Sequence, residues 1–467
     1  MEKFFKLKER NTTVKTEVLA GLTTFMAMAY ILLVNAGMFT NLGLSFGAIY
    51  IATAISAVIG TILIGLLANL PLAQASGMGL NAYFVFTICL GFGFTYANAL
   101  FMVLIDGVVF ILLTATGLRK KIFEAIPKAV RVAIPAGIGL FIAFIGFQNS
   151  GLVVADPATK VNLLSMNLLS KNFSWAAFMP VLVTILTILF IAILSQLKVK
   201  GGILWGILAG GALYYLLGLT VPGFYAALAP NFTAEAMNPL TGFQQFWNES
   251  FGKVFTEGWN FSAYSAAHGV PATVLAVATS ALAFCMVDMF DTIGTLYGAC
   301  ARGGLLTEEG EVPNMNKAMM ADAIATTTGA ICGTSTVTTF VESSAGVAEG
   351  GRTGLSSMVT GGMFFLAMFL TPIASLIPGC ATAAALVYVG VLMMNCVKDI
   401  DWLSPASAVP AFLTVAMMSF TYNISYGIAF GIISSLVISV CTGKIKETKV
   451  TTWVIAALFI AMFLLTH

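Results

Sequence analysis

Apolar runs of about twenty residues recur along the whole chain, and nothing else in the sequence limits the fold as tightly, because a helix of about that length spans the hydrocarbon core of a bilayer. The runs between breaks give twelve spans, near 17–39, 48–70, 95–117, 128–149, 175–195, 201–219, 272–299, 317–332, 354–376, 379–397, 405–421 and 424–442. Composition agrees: 59% of the 467 residues are hydrophobic and 9% charged, against roughly 25% charged in soluble domains. Most of the surface therefore has lipid as its solvent. The stretch from Val18 to Phe39, behind a basic N-terminus, is too long for a signal-peptide core and lacks an A-x-A cleavage pattern, so it reads as the first span.

Two stretches, Pro71 to Phe86 and Gly333 to Ala348, are short and rich in Gly, Ser and Thr, yet lie between strong spans. Irregular backbone at membrane depth survives only where it lines a protein cavity, and matched interruptions in two halves of a transporter point to its binding site. The halves are weakly collinear. Ile126-Pro127 and Ile377-Pro378 each open a span, and Gly202 to Ile207 is echoed by Gly427 to Ile432. The expected fold is an all-α polytopic membrane protein of 14 transmembrane segments in 7+7 inverted repeats, with segments 3 and 10 each broken into a short extended stretch and a half-helix.

Basic residues test that topology independently. With the N-terminus cytoplasmic, the inside set is Lys3, Lys6, Lys8, Arg10, Lys15, Arg119, Lys120, Lys121, Lys128, Arg131, Lys198, Lys200, Arg302, Lys317, Arg352, Lys398, Lys444, Lys446 and Lys449. Only Lys160, Lys171 and Lys253 remain outside, which follows the positive-inside rule. The outer loop from Pro222 to about Gly269 carries Phe246, Trp247, Trp259 and Tyr264, aromatic residues suited to the membrane interface. The apolar stretch Val450 to Thr466 reads equally as an extra span or an interfacial helix.

Several classes of function fall away. Cys89, Cys285, Cys300, Cys332, Cys380, Cys396 and Cys441 are scattered without metal-ligand spacing, and His268 and His467 are far apart, so no metal centre, cofactor or redox enzyme is expected. The formal charge of +2 suggests no nucleic-acid partner.

Carboxylates inside apolar runs are the candidates for chemistry, because a charge at the centre of a spanning helix costs about 2.5–3.5 kcal/mol or more and usually faces a polar cavity. They are Asp106, Asp288, Asp291, Asp322 and Glu342. Asp288 and Asp291 stand three apart, so on a helix they share one face and form a polar stripe with Thr295. Two carboxylates that close cannot both ionise cheaply in a low dielectric, which suits a proton-coupled carrier, although a buried pair tying helices together has the same pattern. Glu342 ends an extended stretch and begins a half-helix, whose free N–H groups can hold a polar ligand; a residue stabilised by the helix dipole would look alike. The first-half counterpart supplies Gln74, Ser76 and Asn81, with backbone opened by Gly77 and Gly79. Asp106 has no obvious partner and Asp322 lies near a cytoplasmic helix start, where capping or helix tethering is the simpler role.

Three motifs, Gly77 to Ala82, Asp288 to Leu296 and Thr338 to Gly346, resemble those of the AzgA-like purine permeases in the nucleobase/cation symporter-2 group, and the resemblance covers nearly the whole chain. It implies a core domain of segments 1–4 (residues 1–125) and 8–11 (270–376). It also implies a gate domain of segments 5–7 (126–221) and 12–14 (377–467), with 222–269 an extracellular loop. By motif alignment the base would be held by Asp291 and Glu342, with backbone contacts from Val341 and from the Asn81 to Tyr83 region, and with Ser343 and Thr295 nearby. Proton coupling would fall to Asp288, Asp291 or Glu342. In the uracil and xanthine branch segment 10 reads Gln or Glu followed by Asn and later Thr-Arg; here Ser343 follows Glu342 and Arg352 precedes Thr353, which favours adenine, guanine or hypoxanthine.

The implied activity is proton symport of a purine base across the plasma membrane, with no cofactor and with room for a homodimer. A flat heterocycle with N–H donors and N or O acceptors fits carboxylates, backbone N–H groups and an aromatic wall. The rivals are a uracil or xanthine permease and an anion exchanger of the sulfate or bicarbonate type, whose sites favour positive electrostatics. An intramembrane aspartyl protease would need a Gly-x-Gly-Asp setting that the sequence lacks.

Overall fold

The computed structural model describes residues 2–117, 126–167, 173–221, 224, 238–302, 304–308, 311–444 and 448–466. Arg119, Lys120, Lys121, Lys171 and Lys446 of the charge count, and all of 222–237 except Phe224, lie outside the described residues.

The chain is mostly helical. Among the described residues, ten helices are long and apolar enough to cross a membrane, and the protein is a multi-pass membrane protein. The first span is two helices, α1 (Val14–Met28) and α2 (Tyr30–Phe39), joined at Ala29. Thr13 starts α1 by accepting a hydrogen bond from the Thr16 backbone N–H, as an N-cap should. Then follow α3 (Phe46–Leu67), β1 (Gln74–Ser76), α4 (Met78–Ala82, continuing to Gly91 with a wider turn), α5 (Tyr96–Ala115) and α6 (Lys128–Asn149). A reciprocal capping box between Thr95 and Asn98 opens α5.

After a surface hairpin of β2 (Val153–Asp156) and β3 (Lys160–Leu163) come α7 (Trp175–Gln196) and α8 (Gly202–Thr220). The second half holds α9 (Val270–Arg302), α10 (Met315–Cys332), β4 (Val337–Thr339), α11 (Ser343–Ala348) and α12 (Gly354–Ala367). It ends with α13 (Gly379–Met393), α14 (Pro405–Phe420), α15 (Ile424–Cys441) and α16 (Val450–Thr466).

The two interrupted stretches meet. β1 and β4 pair antiparallel, Gln74 opposite Thr339, Ala75 opposite Thr338 and Ser76 opposite Val337, with all six residues buried. Extended backbone is tolerable there because pairing satisfies its polar groups. Both expected half-helices follow: α4 directly after Gly77, and α11 directly after Glu342.

Two expected spans are not among the ten: α14 is apolar but shorter, and α10, which does cover 317–332, is made polar by Lys317, Asp322 and Thr326 to Thr328. Asp322, Ala325 and Thr326 are fully buried, so this helix is shielded by its neighbours and needs no lipid-facing hydrocarbon. The terminal stretch that sequence left open is a helix packed on others. Phe459 and Met462 of α16 are buried, and the Phe463 ring lies 5.3 Å from Tyr426 and 5.5 Å from Phe430 of α15.

Candidate functional site

A cavity of about 80 Å³ lies beside the β1–β4 pair, lined by Tyr30 of α2, Gly77 to Gly79, Asp291 and Thr295 of α9, Thr339 to Glu342, and Val389 and Met393 of α13. Five separate stretches of chain therefore converge on it. Thr338 donates to Asp291 Oδ2 at 3.4 Å, and the Tyr30 hydroxyl donates to Glu342 Oε1 at 2.6 Å. A Cβ added at Gly77 would sit 3.0 Å from Thr338 Oγ1 and 3.7 Å from Asp291 Oδ2, so a side chain there would crowd the hydroxyl that donates to the carboxylate.

A second pocket of about 310 Å³ lies further along the same two helices. Leu33, Val34 and Gly37 continue the α2 wall beyond Tyr30, and Leu386, Ala383 and Thr382 continue the α13 wall beyond Val389; Thr40, Asn41 and Asn149 are at its polar end. The two pockets thus lie one after the other along α2 and α13.

The residues expected at the site divide into two groups. Asp291, Glu342, Val341 and Thr295 line the cavity; Asn81, Tyr83, Ser343 and Asp288 do not. Asn81 closes the turn of its own segment, accepting from the Ser76 hydroxyl at 2.7 Å and donating to the Ser76 carbonyl at 3.3 Å. Ser76 in turn shares a hydrogen bond of 2.9 Å with Thr334. Tyr83 reaches Ser425 of α15 at 3.1 Å and meets the Phe284 ring edge-on at 4.9 Å. The Ser343 hydroxyl accepts from the Ala73 N–H at 3.0 Å, tying α11 to the residue just before β1.

Asp288 and Asp291 do not act as one stripe. A three-residue step on a helix leaves about 60° between side chains, enough for them to meet different neighbours. Asp288 is fully buried against α10, where Thr326 donates to its Oδ2 at 3.2 Å and Thr292 approaches its Oδ1 at 3.4 Å. Thr292 donates at 2.7 Å to Asp322, which also receives the Gln74 amide at 3.4 Å. Asp322 is seven residues into α10, part of this interior cluster and not a helix-start cap. Asp106 is buried on α5 and does not line the cavity.

Sequence reasoning missed Tyr30, Met78, Thr339, Phe340, Val389 and Met393 as lining residues. Tyr30 had a signal: it stands with Asn35 as a polar side chain in an otherwise apolar run. The α13 residues had none, since their contribution depends on how distant helices pack.

A model described as the permease family matches residues 15–430. This chain belongs to the permease family. The guanine/hypoxanthine permease PbuO of Bacillus subtilis is 39% identical to it over 470 residues, covering 99% of this chain and 100% of that one. The adenine permease AdeP of Escherichia coli is 36% identical over 461 residues, covering 98% and 95%. The resemblance of the three motifs to purine permeases is thus matched along the full length of this permease. Its fold is also similar to the transmembrane domain of the cyanobacterial bicarbonate transporter BicA, with a TM-score of 0.60 at 14% identity, covering 89% of this permease and 97% of that domain. At that identity the likeness is one of fold alone.

Proposed function

We propose that this permease imports a purine base, hypoxanthine, guanine or adenine, together with a proton. The carrying observation is that Asp291 and Glu342, from α9 and from the start of α11, line one cavity together with Gly77 to Gly79, Val341 and the aromatic Tyr30 and Phe340. Carboxylates accept the ring N–H donors, and aromatic faces cover the flat body. The relatives named as adenine and guanine/hypoxanthine permeases support the substrate class.

The proposed architecture is 14 segments in two inverted halves, in the plasma membrane with a cytoplasmic N-terminus. Residues 1–125 and 270–376 would form the core, 126–221 and 377–467 the gate, and 222–269 an outer loop. Two observations support the duplication: the extended stretches pair with each other, and a threonine of the preceding helix serves each of them, Thr61 for Gln74 and Thr326 for Val337. Val389 and Met393 would then be the gate's share of the cavity, and movement of the core against them would carry base and proton across. Asp288 would assist coupling from behind the site, while Asn81, Tyr83 and Ser343 would hold the broken segments in place.

The test is uptake of radiolabelled hypoxanthine in cells expressing the chain, with adenine, guanine, xanthine and uracil as competitors and D291N and E342Q as controls. Uptake should rise as external pH falls and collapse in both variants. Normal transport by both variants would remove the site, and uptake indifferent to the proton gradient would remove the coupling. Sulfate and bicarbonate uptake in the same cells tests the anion exchanger; two carboxylates at the cavity disfavour it.

A further inference from the structure

We propose that Tyr30 is a positioning residue for Glu342, fixing which carboxylate oxygen a ligand meets; the ligand's identity rests on the purine reading, but the contact does not. Tyr30 is fully buried and is the first residue of α2, immediately past the junction at Ala29 that divides the first span. Its hydroxyl donates to Glu342 Oε1 at 2.6 Å, within the range of a charge-assisted O–H to carboxylate bond. Both residues line the cavity.

Glu342 needs such a partner. It occupies the N-cap position of α11 without capping that helix through its side chain, so apart from its own backbone N–H the Tyr30 hydroxyl is what holds its carboxylate. A glutamate has three rotatable bonds, and ordering it costs about 1.5–2 kcal/mol of rotamer freedom. A tyrosine ring anchored in a packed helix has two and is already held. With Oε1 occupied, Oε2 is the oxygen left for an incoming N–H, and the lone pairs of the Tyr30 oxygen offer a second acceptor beside it. The first span therefore presets the acceptor geometry of the tenth segment.

The experiment uses the purified full-length chain as wild type, Y30F, E342Q and the double variant. Hypoxanthine affinity should fall about 10- to 100-fold in Y30F, the loss of a hydrogen bond to a charged group. Adding Y30F to E342Q should cost less than about twofold, because residues acting through one another are non-additive. Equal losses in both backgrounds, or none in Y30F, would overturn the assignment.

A second arm needs no ligand. The infrared carboxylate bands that vanish in E342Q should shift in Y30F, and should also shift in wild-type protein grown with 3-fluorotyrosine, a stronger donor that requires no mutation and so covers a poorly folding Y30F. Bands unmoved by fluorotyrosine would refute the contact. If wild type binds no hypoxanthine, the substrate reading fails and the infrared arm still decides on Tyr30.

Discussion

Thr61 and Thr326 serve equivalent positions on the two edges of the buried strand pair. The Thr61 hydroxyl accepts from the Gln74 N–H at 3.0 Å and donates to the Gln74 carbonyl at 2.9 Å. That of Thr326 accepts from the Val337 N–H at 3.3 Å and shares its single proton between the Val337 carbonyl at 3.1 Å and Asp288 Oδ2 at 3.2 Å. A lone two-stranded sheet leaves outward-facing N–H and C=O groups, and at this depth no water meets them. One hydroxyl on each side closes the account for Gln74 and Val337.

Valine has the shape of threonine without the hydroxyl, so T61V and T326V should each strand a buried donor and acceptor. Each unsatisfied group costs about 1–3 kcal/mol. Both variants should lower the thermal midpoint of detergent-solubilised protein by several degrees while leaving the cavity side chains unchanged. T328V is the control, because its hydroxyl bonds only to the Ile324 carbonyl one turn back in its own helix. A midpoint equal to wild type in T61V and T326V would show that the edges find other partners.

The Thr292 hydroxyl joins α9 to α10 by donating to Asp322 at 2.7 Å while lying 3.4 Å from Asp288. This cluster is fully buried, and although Thr292 directly follows the cavity-lining Asp291, it does not line the cavity itself. T292V and D291N should therefore separate stability from recognition. T292V should reduce the thermal midpoint yet keep base affinity within about threefold. D291N should lose binding with little change in midpoint. Similar profiles for both would mean that the two acids work as one unit after all.

The sequence made the spans and the two broken stretches legible, because hydropathy and local Gly, Ser and Thr content are properties of the chain itself. Glu342 opens its half-helix as expected for the same reason. What it hid was direction. Asp288 and Asp291 look like one stripe until α10 is placed against α9, and nothing in the sequence singles out Glu17 at the start of the first span. In the fold Glu17 is fully buried and accepts from the Arg352 N–H at 2.9 Å and from the Ser356 hydroxyl at 2.5 Å, holding the start of α12. Such a contact joins residues more than three hundred positions apart, and no local pattern announces it.

Gly139 and Gly390 bring α6 and α13 into backbone contact. A Cβ on Gly390 would lie 2.4 Å from the Gly139 carbonyl oxygen and 2.8 Å from the Ala143 Cβ. Small residues at crossings are how membrane helices gain packing where no hydrophobic drive distinguishes protein from lipid. G390A should push the helices apart at a cost of about 1–3 kcal/mol and displace Val389, which lines the cavity. The expected readout is a lower monodisperse yield and weaker base binding together. G379A, where an added Cβ meets nothing within 4 Å, should behave as wild type.

Lys200, in the loop between α7 and α8, pairs with Glu349 at the end of α11 at 2.7 Å. Both side chains are partly exposed, so the pair contributes at most about 1 kcal/mol, and K200A alone should change stability little. Its value is geometric, since it marks a contact between the proposed gate and the half-helix that begins at Glu342. If the core slides against the gate, this spacing must change in each cycle. Lys200→Cys with Glu349→Cys, in a Cys441→Ser background that removes an exposed thiol, should be bridged by a bis-methanethiosulfonate in the absence of base. Bridged protein should lose uptake and regain it on reduction, while each single cysteine variant treated alike should transport normally. Full uptake by the bridged protein would mean that the α7–α8 loop and α11 travel together, and the sliding movement would have to be placed elsewhere in the molecule.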